Sequence, residues 1–87
     1  QIHVCGGPIS TAAALQLEAV IPNFIIHEMH EGGMKADMRA TCKYDYVPKN
    51  GYLEVPDLPG IGQELSEQAM REATVYTIDK PRTSGMV

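Results

Sequence analysis

The stretch QIHVCGGPISTAAALQLEAVIPNFIIHE, residues 1–28, decides the fold of this chain. Residues 1–4 are short and β-prone, like the last few residues of a strand. The run 24–27 is continuously apolar until its histidine, which is typical of a strand that is covered on both faces in a parallel sheet. With the helix predicted between them, the stretch is interpreted as one βαβ unit.

The predicted helix spans residues 9–19, which are rich in Ala and Leu. Two glycines interrupt regular structure before it, Pro8 suits its first turn, and Pro22 ends it. Four apolar residues recur at helical spacing and share one face: Ile9, Ala13, Leu17 and Val20. One βαβ unit cannot close a core, because its strands need parallel neighbours and its helix covers only one face. We therefore expect the chain to be the remnant of a larger α/β assembly.

The second half of the chain is predicted to be less regular. Residues 29–43 contain two adjacent glycines and no clear period, which predicts a loop with a helical turn at most. Residues 44–55 resemble a hairpin closed by an Asn-Gly turn, whereas 56–62 contain too many Pro and Gly for a regular element. Ser66 can cap a short helix that ends near Ala73.

The charge and hydropathy of the chain argue against two kinds of partner. The net charge is −4 and the basic residues are scattered among acids, so no basic patch is offered to nucleic-acid phosphates. No apolar run approaches the roughly 20 residues that a membrane span needs. The chain starts at Gln1 with no secretion signal, so we expect it to begin at an internal cut or at the edge of a longer chain.

The two cysteines, Cys5 and Cys42, show no metal-ligand spacing and are fewer than a small secreted scaffold usually carries. We expect two free thiols in a reducing compartment, which favours a cytoplasmic protein. The alternative is a secreted peptide that is stabilised by one disulfide.

His3 and Glu28 are the candidate catalytic residues. Each lies at the C-terminal end of a predicted strand, and in α/β barrels those ends form the active-site face. Because adjacent parallel strands lie about 4.8 Å apart, the two side chains can project into one cavity. A histidine there can exchange a proton near neutral pH, and a carboxylate beside it can hold and charge it. The structural alternative is a His3 bonded to a carbonyl and a Glu28 in solvent.

Other patterns in the chain are weaker signals, and no metal ligands are predicted within it. His27 and His30 are three residues apart, whereas the zinc-protease pattern needs a helical spacing of four. Strand alternation also sends His27 and Glu28 to opposite faces, so both cannot face one ligand. Cys42 lacks a recognisable catalytic partner, and two glycines before a helix are common without binding an anion.

Three motifs together resemble the end of an enolase-superfamily barrel. HVCGGPI at 3–9 with its alanine-rich helix, and IPNFIIHE at 21–28, resemble the seventh and eighth strands. GYLEVP at 51–56 and PGIG at 59–62 resemble the closing segment of the mandelate-racemase branch. The likeness spans residues 2–73 and is closest to that branch's acid-sugar dehydratases of the D-galactonate dehydratase kind.

The resemblance implies an α/β fold, the C-terminal part of a modified (β/α)7β barrel whose capping domain is α+β. Residues 1–43 would then form the end of the barrel, 44–79 would return to the capping domain, and 80–87 would be a frayed tail. The missing strands and the capping domain would come from the remainder of the same enzyme, which is expected to be a cytoplasmic homo-oligomer.

The same resemblance implies a lyase that dehydrates sugar acids. His3 matches the family's general acid/base, whose orienting Asp on the preceding strand is absent here. Glu28 matches the carboxylate that contacts substrate or intermediate. His3 would take the proton α to a carboxylate, and the enediolate, stabilised by Mg²⁺, would lose water to give a 2-keto-3-deoxy acid. The Mg²⁺ ligands are expected outside this sequence.

Two alternatives stay open at the level of the sequence. A racemase, epimerase or cycloisomerase of the same superfamily shares the enolate step and differs in residues that handle the intermediate. A non-catalytic interaction module would need these 87 residues to fold alone, although a βαβ unit leaves both edges of its sheet open.

Overall fold

Helix α1, Pro8–Glu18, is the longest element of the computed structural model, which describes residues 1–81. Pro8 stands in the first turn, where its missing N–H is not needed for the helix. At the other end the Ala19 N–H donates to the Leu15 carbonyl at 3.1 Å. The helix predicted between the glycines and Pro22 is therefore confirmed.

The buried face of α1 is not the apolar face from which the helix was predicted. The buried residues are Thr11, Ala12, Ala14, Leu15 and Glu18. On the predicted face, Ile9 is 37% exposed and Leu17 is 49% exposed. Small side chains on the buried face allow other segments to approach the helix closely.

The two segments that flank α1 have no regular secondary structure and do not form strands. Among residues 1–81 the only β-bridges are isolated ones, and none involves residues 1–4 or 24–27. The prediction of regular strands at these two positions is therefore wrong for this structure. Its physical reason is that an extended segment becomes a strand only through ladder hydrogen bonds to a neighbour, and no neighbour is present in this part of the chain.

The segment after residue 28 contains more helix than the loop that was predicted there. A 3-10 helix covers Glu31–Met34, and a short helix α2 covers Ala36–Arg39. The Gly32 N–H donates to His30 Nδ1 at 3.0 Å, which caps the 3-10 helix. The predicted helical turn is therefore confirmed, and the helical part of this segment is longer than predicted.

The predicted hairpin is reduced to its turn. Lys49 and Tyr52 exchange two backbone hydrogen bonds of 2.8 and 3.0 Å. Asn50 and Gly51 between them have φ values of 52° and 81°, the left-handed conformations that a two-residue hairpin turn requires. No further bridge forms within the described residues 44–55, since a two-stranded ribbon needs a packed face and Tyr52 is 79% exposed.

An antiparallel crossing joins residues 41–43 to residues 64–66. The Lys43 N–H donates to the Glu64 carbonyl at 2.8 Å, and the Ser66 N–H donates to the Thr41 carbonyl at 2.9 Å. The buried Gln63 side chain extends this pairing, because its amide bonds both the N–H and the carbonyl of Tyr44 at 3.0 and 2.8 Å. The side-chain amide thus makes the two hydrogen bonds that a backbone partner would make at the next position of the pairing.

Gly62 in the Pro-Gly-x-Gly turn occupies a position that only glycine fits. Its φ is 75°, and a Cβ placed there would lie 2.5 Å from Cγ of Pro56. The Tyr46 hydroxyl donates to the Gly62 carbonyl on the same side. The turn therefore packs directly against the chain that precedes it.

Helix α3, Glu67–Glu72, follows the crossing and is capped as the sequence predicts. Ser66 Oγ accepts a hydrogen bond from the Ala69 N–H at 3.1 Å and donates one to the Ala40 carbonyl at 3.0 Å. The tail predicted from Lys80 has no regular structure at 80–81, and its residues 82–87 lie outside the described part of the chain.

The core within residues 1–81 is small. Its buried apolar side chains are Val4, Ala12, Ala14, Leu15 and Cys42. The radius of gyration is 16.1 Å, against about 12 Å for a compact domain of this length. None of the helices described here has the length and apolarity that crossing a membrane requires. The chain therefore leaves much of its apolar surface uncovered.

We expect Ser66→Ala to speed hydrogen exchange of the Ala69 amide about fivefold in the whole protein, because loss of such a cap costs about 1 kcal/mol. Mass spectrometry of peptides covering 66–72 measures this. Ser66→Asp, which restores the acceptor, should restore protection, and Thr74→Ala beyond the helix should change nothing. Equal exchange in the Ser66→Ala protein would contradict the role of this cap.

Candidate functional site

The structure brings the two predicted catalytic residues into contact. His3 Nδ1 lies 3.0 Å from Glu28 Oε2. The His3 side chain is 79% exposed and that of Glu28 is 33% exposed. The prediction that both side chains reach one place is therefore confirmed as geometry, although the expected strand pairing is absent. Whether they carry catalysis stays a prediction.

The Glu28 carboxylate is also fastened to the backbone of the first segment. Its Oε2 accepts a hydrogen bond from the N–H of Val4, and Val4 is buried. Residues 24 positions apart are thus joined by one carboxylate oxygen. This contact fixes the position of the Glu28 carboxylate beside His3.

The contact brings Nδ1 of His3, and not Nε2, against the carboxylate. When a carboxylate engages Nδ1, the neutral ring carries its proton there and Nε2 holds the free lone pair. Nε2 of the exposed His3 side chain is then the atom that can accept a proton from a bound molecule. This arrangement can serve as a general base that is oriented by a carboxylate.

A second histidine–carboxylate pair lies on the opposite side of residue 28. His27 Nδ1 lies 2.7 Å from Glu18 Oε2 on α1, and both side chains are largely buried, at 11% and 4% exposure. His27 thus faces α1 while Glu28 faces the first segment. The two adjacent side chains therefore contact different segments, which agrees with the opposite directions predicted for them.

Sequence reasoning missed the pair of Glu18 and His27. A signal was present, since Glu18 lies three residues after Leu15 on the same helical face and a buried carboxylate requires a partner. Nothing in the spacing of residues 18 and 27 shows that His27 is that partner. Among residues 1–81, Glu18 Oε1 and His27 Nε2 have no hydrogen-bond partner and are buried.

The residues of the weaker candidate patterns do not come together as a site within residues 1–81. Across residues 1–81 no three His, Cys, Asp or Glu side chains converge as metal ligands. The residues present therefore do not fit a Mg²⁺ ion. Both cysteines are free thiols, as predicted; Cys5 is exposed and Cys42 is buried.

Gly6, one of the two glycines before α1, lines a small cavity whose cation is already paired. Gly6 and Arg39 both line it. Arg39 Nε donates to Asp45 Oδ1 at 2.8 Å, and Nη2 donates to Oδ2. The carboxylate therefore binds the guanidinium through two hydrogen bonds. Asp45 lines the cavity too. The cavity therefore offers an anion no unpaired charge from this pair.

The same bidentate pair shifts the titration of both partners. Hydrogen bonding to Arg39 lowers the pKa of Asp45, and the charge of Arg39 acts in the same direction. Hydrogen bonding to Asp45 raises the pKa of Arg39. A carboxyl group whose pKa is lowered on folding stabilises the fold at pH values above the ordinary Asp pKa. This stabilisation is lost as the pH falls through the lowered pKa of Asp45 in the folded state.

Comparison with known proteins places these residues in one family. The chain matches the family described as "Enolase C-terminal domain-like" over residues 1–69. The D-xylonate dehydratase of Haloferax volcanii is 34% identical over 71 residues, covering 79% of this chain and 16% of its own. The D-gluconate/D-galactonate dehydratase of Picrophilus torridus is 31% identical over 74 residues, covering 85% and 18%.

A solved structure shares the fold of this chain. A member of the enolase superfamily from Salmonella Typhimurium superposes with a TM-score of 0.82 at 58% identity. The match covers 91% of this chain and 20% of that chain. This chain thus spans only about a fifth of the solved protein, and less than that of the two curated relatives.

We expect the carboxyl ¹³C resonance of Asp45 to titrate below the usual Asp range, and Arg39→Gln to move its midpoint upward. The reason is that the substitution removes the hydrogen bond and charge that lower the pKa of Asp45. Arg71→Gln removes a cation that pairs with Glu67 instead and should leave the midpoint in place. An unchanged midpoint in the Arg39→Gln protein would show that the pair does not form in solution.

Proposed function

This chain belongs to the Enolase C-terminal domain-like family, and from that premise we propose that it carries part of the catalytic site of an acid-sugar dehydratase, a hydro-lyase. Two relatives that bear dehydratase names are similar over most of this chain. Since the chain spans a small share of each, the activity, substrate and partners of the whole protein belong to the proposal.

The observation that carries the proposal is the contact between His3 and Glu28. It places an exposed imidazole against a half-buried carboxylate at 3.0 Å. Such a pair can accept a proton and stabilise the imidazolium that results, which is what abstraction of a weakly acidic C–H requires. Within residues 1–81, His3 is the one histidine that is both exposed and in contact with a carboxylate.

In the proposed reaction, His3 Nε2 removes the proton α to the carboxylate of a sugar acid. The electron pair of the broken C–H bond enters an enediolate. The β-hydroxyl then leaves as water after it receives a proton from a second acid, and the resulting enol becomes the ketone of a 2-keto-3-deoxy acid. The proton on His3 returns to solvent or to the product, so the base is regenerated.

Glu28 is proposed to have two roles in this step: it orients His3 and it binds the substrate. Its Oε2 holds His3 Nδ1 and the Val4 N–H, and this fixes the direction of the imidazole. Both contacts use Oε2, so Oε1 can bind a substrate hydroxyl as the reaction proceeds. A carboxylate that is already oriented needs no rearrangement when positive charge develops on the ring.

Mg²⁺ belongs to this proposal only as a cofactor bound elsewhere. No group of ligands for it converges within residues 1–81, so its ligands would lie outside this segment. The steps assigned here to His3 and Glu28 depend on their own proton chemistry. The metal's general contribution in such enzymes is to neutralise charge on a carboxylate oxygen.

The architecture proposed for the whole enzyme follows the same reasoning. Residues 1–43 would complete a (β/α)7β barrel and 44–79 would pack on an α+β capping domain, with the remaining strands supplied by the rest of a homo-oligomeric, cytoplasmic enzyme. The apolar side chains at 24–26, which are 41 to 84% exposed, support this proposal because such a run is covered in a folded protein. The fold match to an enolase-superfamily member supports it as well.

Incubation of the whole enzyme with a panel of sugar acids in deuterated water tests the function. We expect a 2-keto-3-deoxy product, and we expect His3→Ala to lower kcat by about a hundredfold or more because the base is removed. Solvent deuterium at the α-carbon without loss of water would instead indicate an epimerase or racemase of the same superfamily. Full α-proton exchange by the His3→Ala enzyme would show that another residue is the base.

Glu28→Gln separates the charge of this residue from its shape. We expect kcat to fall about 10- to 100-fold, because the amide cannot stabilise the imidazolium that His3 becomes. The exposed Glu72 on α3 provides a matched control, and Glu72→Gln should retain wild-type kcat. A Glu28→Gln enzyme with wild-type kcat at every pH would remove Glu28 from the mechanism.

A further inference from the structure

The buried pair of Glu18 and His27 has no part in the proposed reaction, yet it adjoins the site directly. His27 is the residue before Glu28, and its Nδ1 lies 2.7 Å from Glu18 Oε2. Glu18 is on α1, whose N-terminal end follows the loop that carries His3. One contact therefore links the helix to the backbone next to the candidate catalytic carboxylate.

The segment around these residues has few other restraints. Among residues 1–81, no backbone–backbone hydrogen bond involves residues 22–29. Its recorded polar contacts are made by two adjacent side chains that point in opposite directions: His27 to α1, and Glu28 to the Val4 N–H and His3. When the backbone is not held by a ladder, the orientation of one side chain depends on how its neighbour is fixed.

Burial makes the contact of His27 with Glu18 the firmer of the two anchors. The Glu18 carboxylate is 4% exposed and the His27 ring is 11% exposed, whereas His3 is 79% exposed. A buried carboxylate is strongly held to its partner, because separation would leave it without a hydrogen bond in an apolar environment. The neighbours that line the same groove are largely apolar, among them Leu15, Ile26 and Met29.

We infer that Glu18 and His27 form a positioning pair: by fastening residue 27 to α1, they set the direction in which the Glu28 carboxylate points toward Val4 and His3. Neither residue touches the reacting atoms. The catalytic part of this inference rests on the proposed function, whereas the positioning itself can be observed without any substrate.

The test uses the whole enzyme with both partners replaced together, Glu18→Leu with His27→Leu. Single replacements leave one buried polar group unpaired and are expected to lower Tm or prevent folding. The double replacement exchanges a buried histidine–carboxylate pair for apolar side chains, a kind of change that folded proteins commonly tolerate. His30→Asn changes a histidine outside the pair, keeps an acceptor for the Gly32 N–H, and serves as the matched control.

The first readout is hydrogen exchange at the Val4 amide, which reports directly on Glu28. We expect this amide to exchange about tenfold faster in the double variant than in the wild type, as it should in Glu28→Ala, which removes the acceptor. His27→Gln, whose amide can still donate to Glu18, should keep most of the protection. Unchanged exchange at Val4 in a folded double variant would overturn the inference, whatever the enzyme's activity.

The second readout is catalytic. Displacement of a catalytic group by about 1 Å can cost about a hundredfold, so we expect kcat of the double variant to fall about 10- to 100-fold at temperatures far below its Tm. Adding Glu28→Gln to the double variant should lower kcat no further, because the pair acts through Glu28. Fully additive losses would show a separate structural role and contradict the inference.

These readouts distinguish the two proposals from each other. If the wild-type enzyme neither exchanges nor dehydrates any sugar acid while Val4 responds as expected, the positioning pair stands and the proposed function fails. If the wild type dehydrates a sugar acid and the double variant keeps wild-type kcat and Val4 protection, the function stands and the positioning pair fails.

Discussion

One carboxylate oxygen joins the two segments that hold the candidate site. Glu28 Oε2 accepts from the Val4 N–H and lies against His3 Nδ1, so residues 3 and 28 are neighbours although no strand ladder connects their segments. Removing this contact would leave the exposed His3 without an oriented partner. The chemistry proposed here depends on that one contact, because an imidazole is an effective base only when its ring and proton are fixed.

The two histidine–carboxylate pairs differ in environment, and the difference separates their roles. The pair of His3 and Glu28 is open to solvent and can reach a bound molecule. The pair of His27 and Glu18 is buried against α1 and can reach none without rearrangement. Because residues 27 and 28 are adjacent, the buried pair restrains the open one. This link extends from α1 through the backbone to the carboxylate.

The small core and the extended dimensions of the chain are consistent with the small part of each known relative's length that it covers. Its radius of gyration of 16.1 Å and its exposed apolar run at 24–26 mean that much apolar surface is not covered by residues 1–81. The same cause explains the failed strand prediction. Residues 1–4 and 24–27 have strand-like sequences, but ladder partners cannot be supplied by two short segments alone.

The sequence by itself determined the local features of this protein. Pro8 begins α1, Ser66 caps α3, and Asn50-Gly51 form a tight turn, because each depends on the conformational preferences and hydrogen bonds of residues within a few positions. The predicted strand ends also marked His3 and Glu28 as candidate catalytic residues, and the structure brings the two into contact. Only the tertiary structure decided which face of α1 is buried and that Glu18 pairs with His27, since those outcomes depend on packing between distant segments rather than on local spacing.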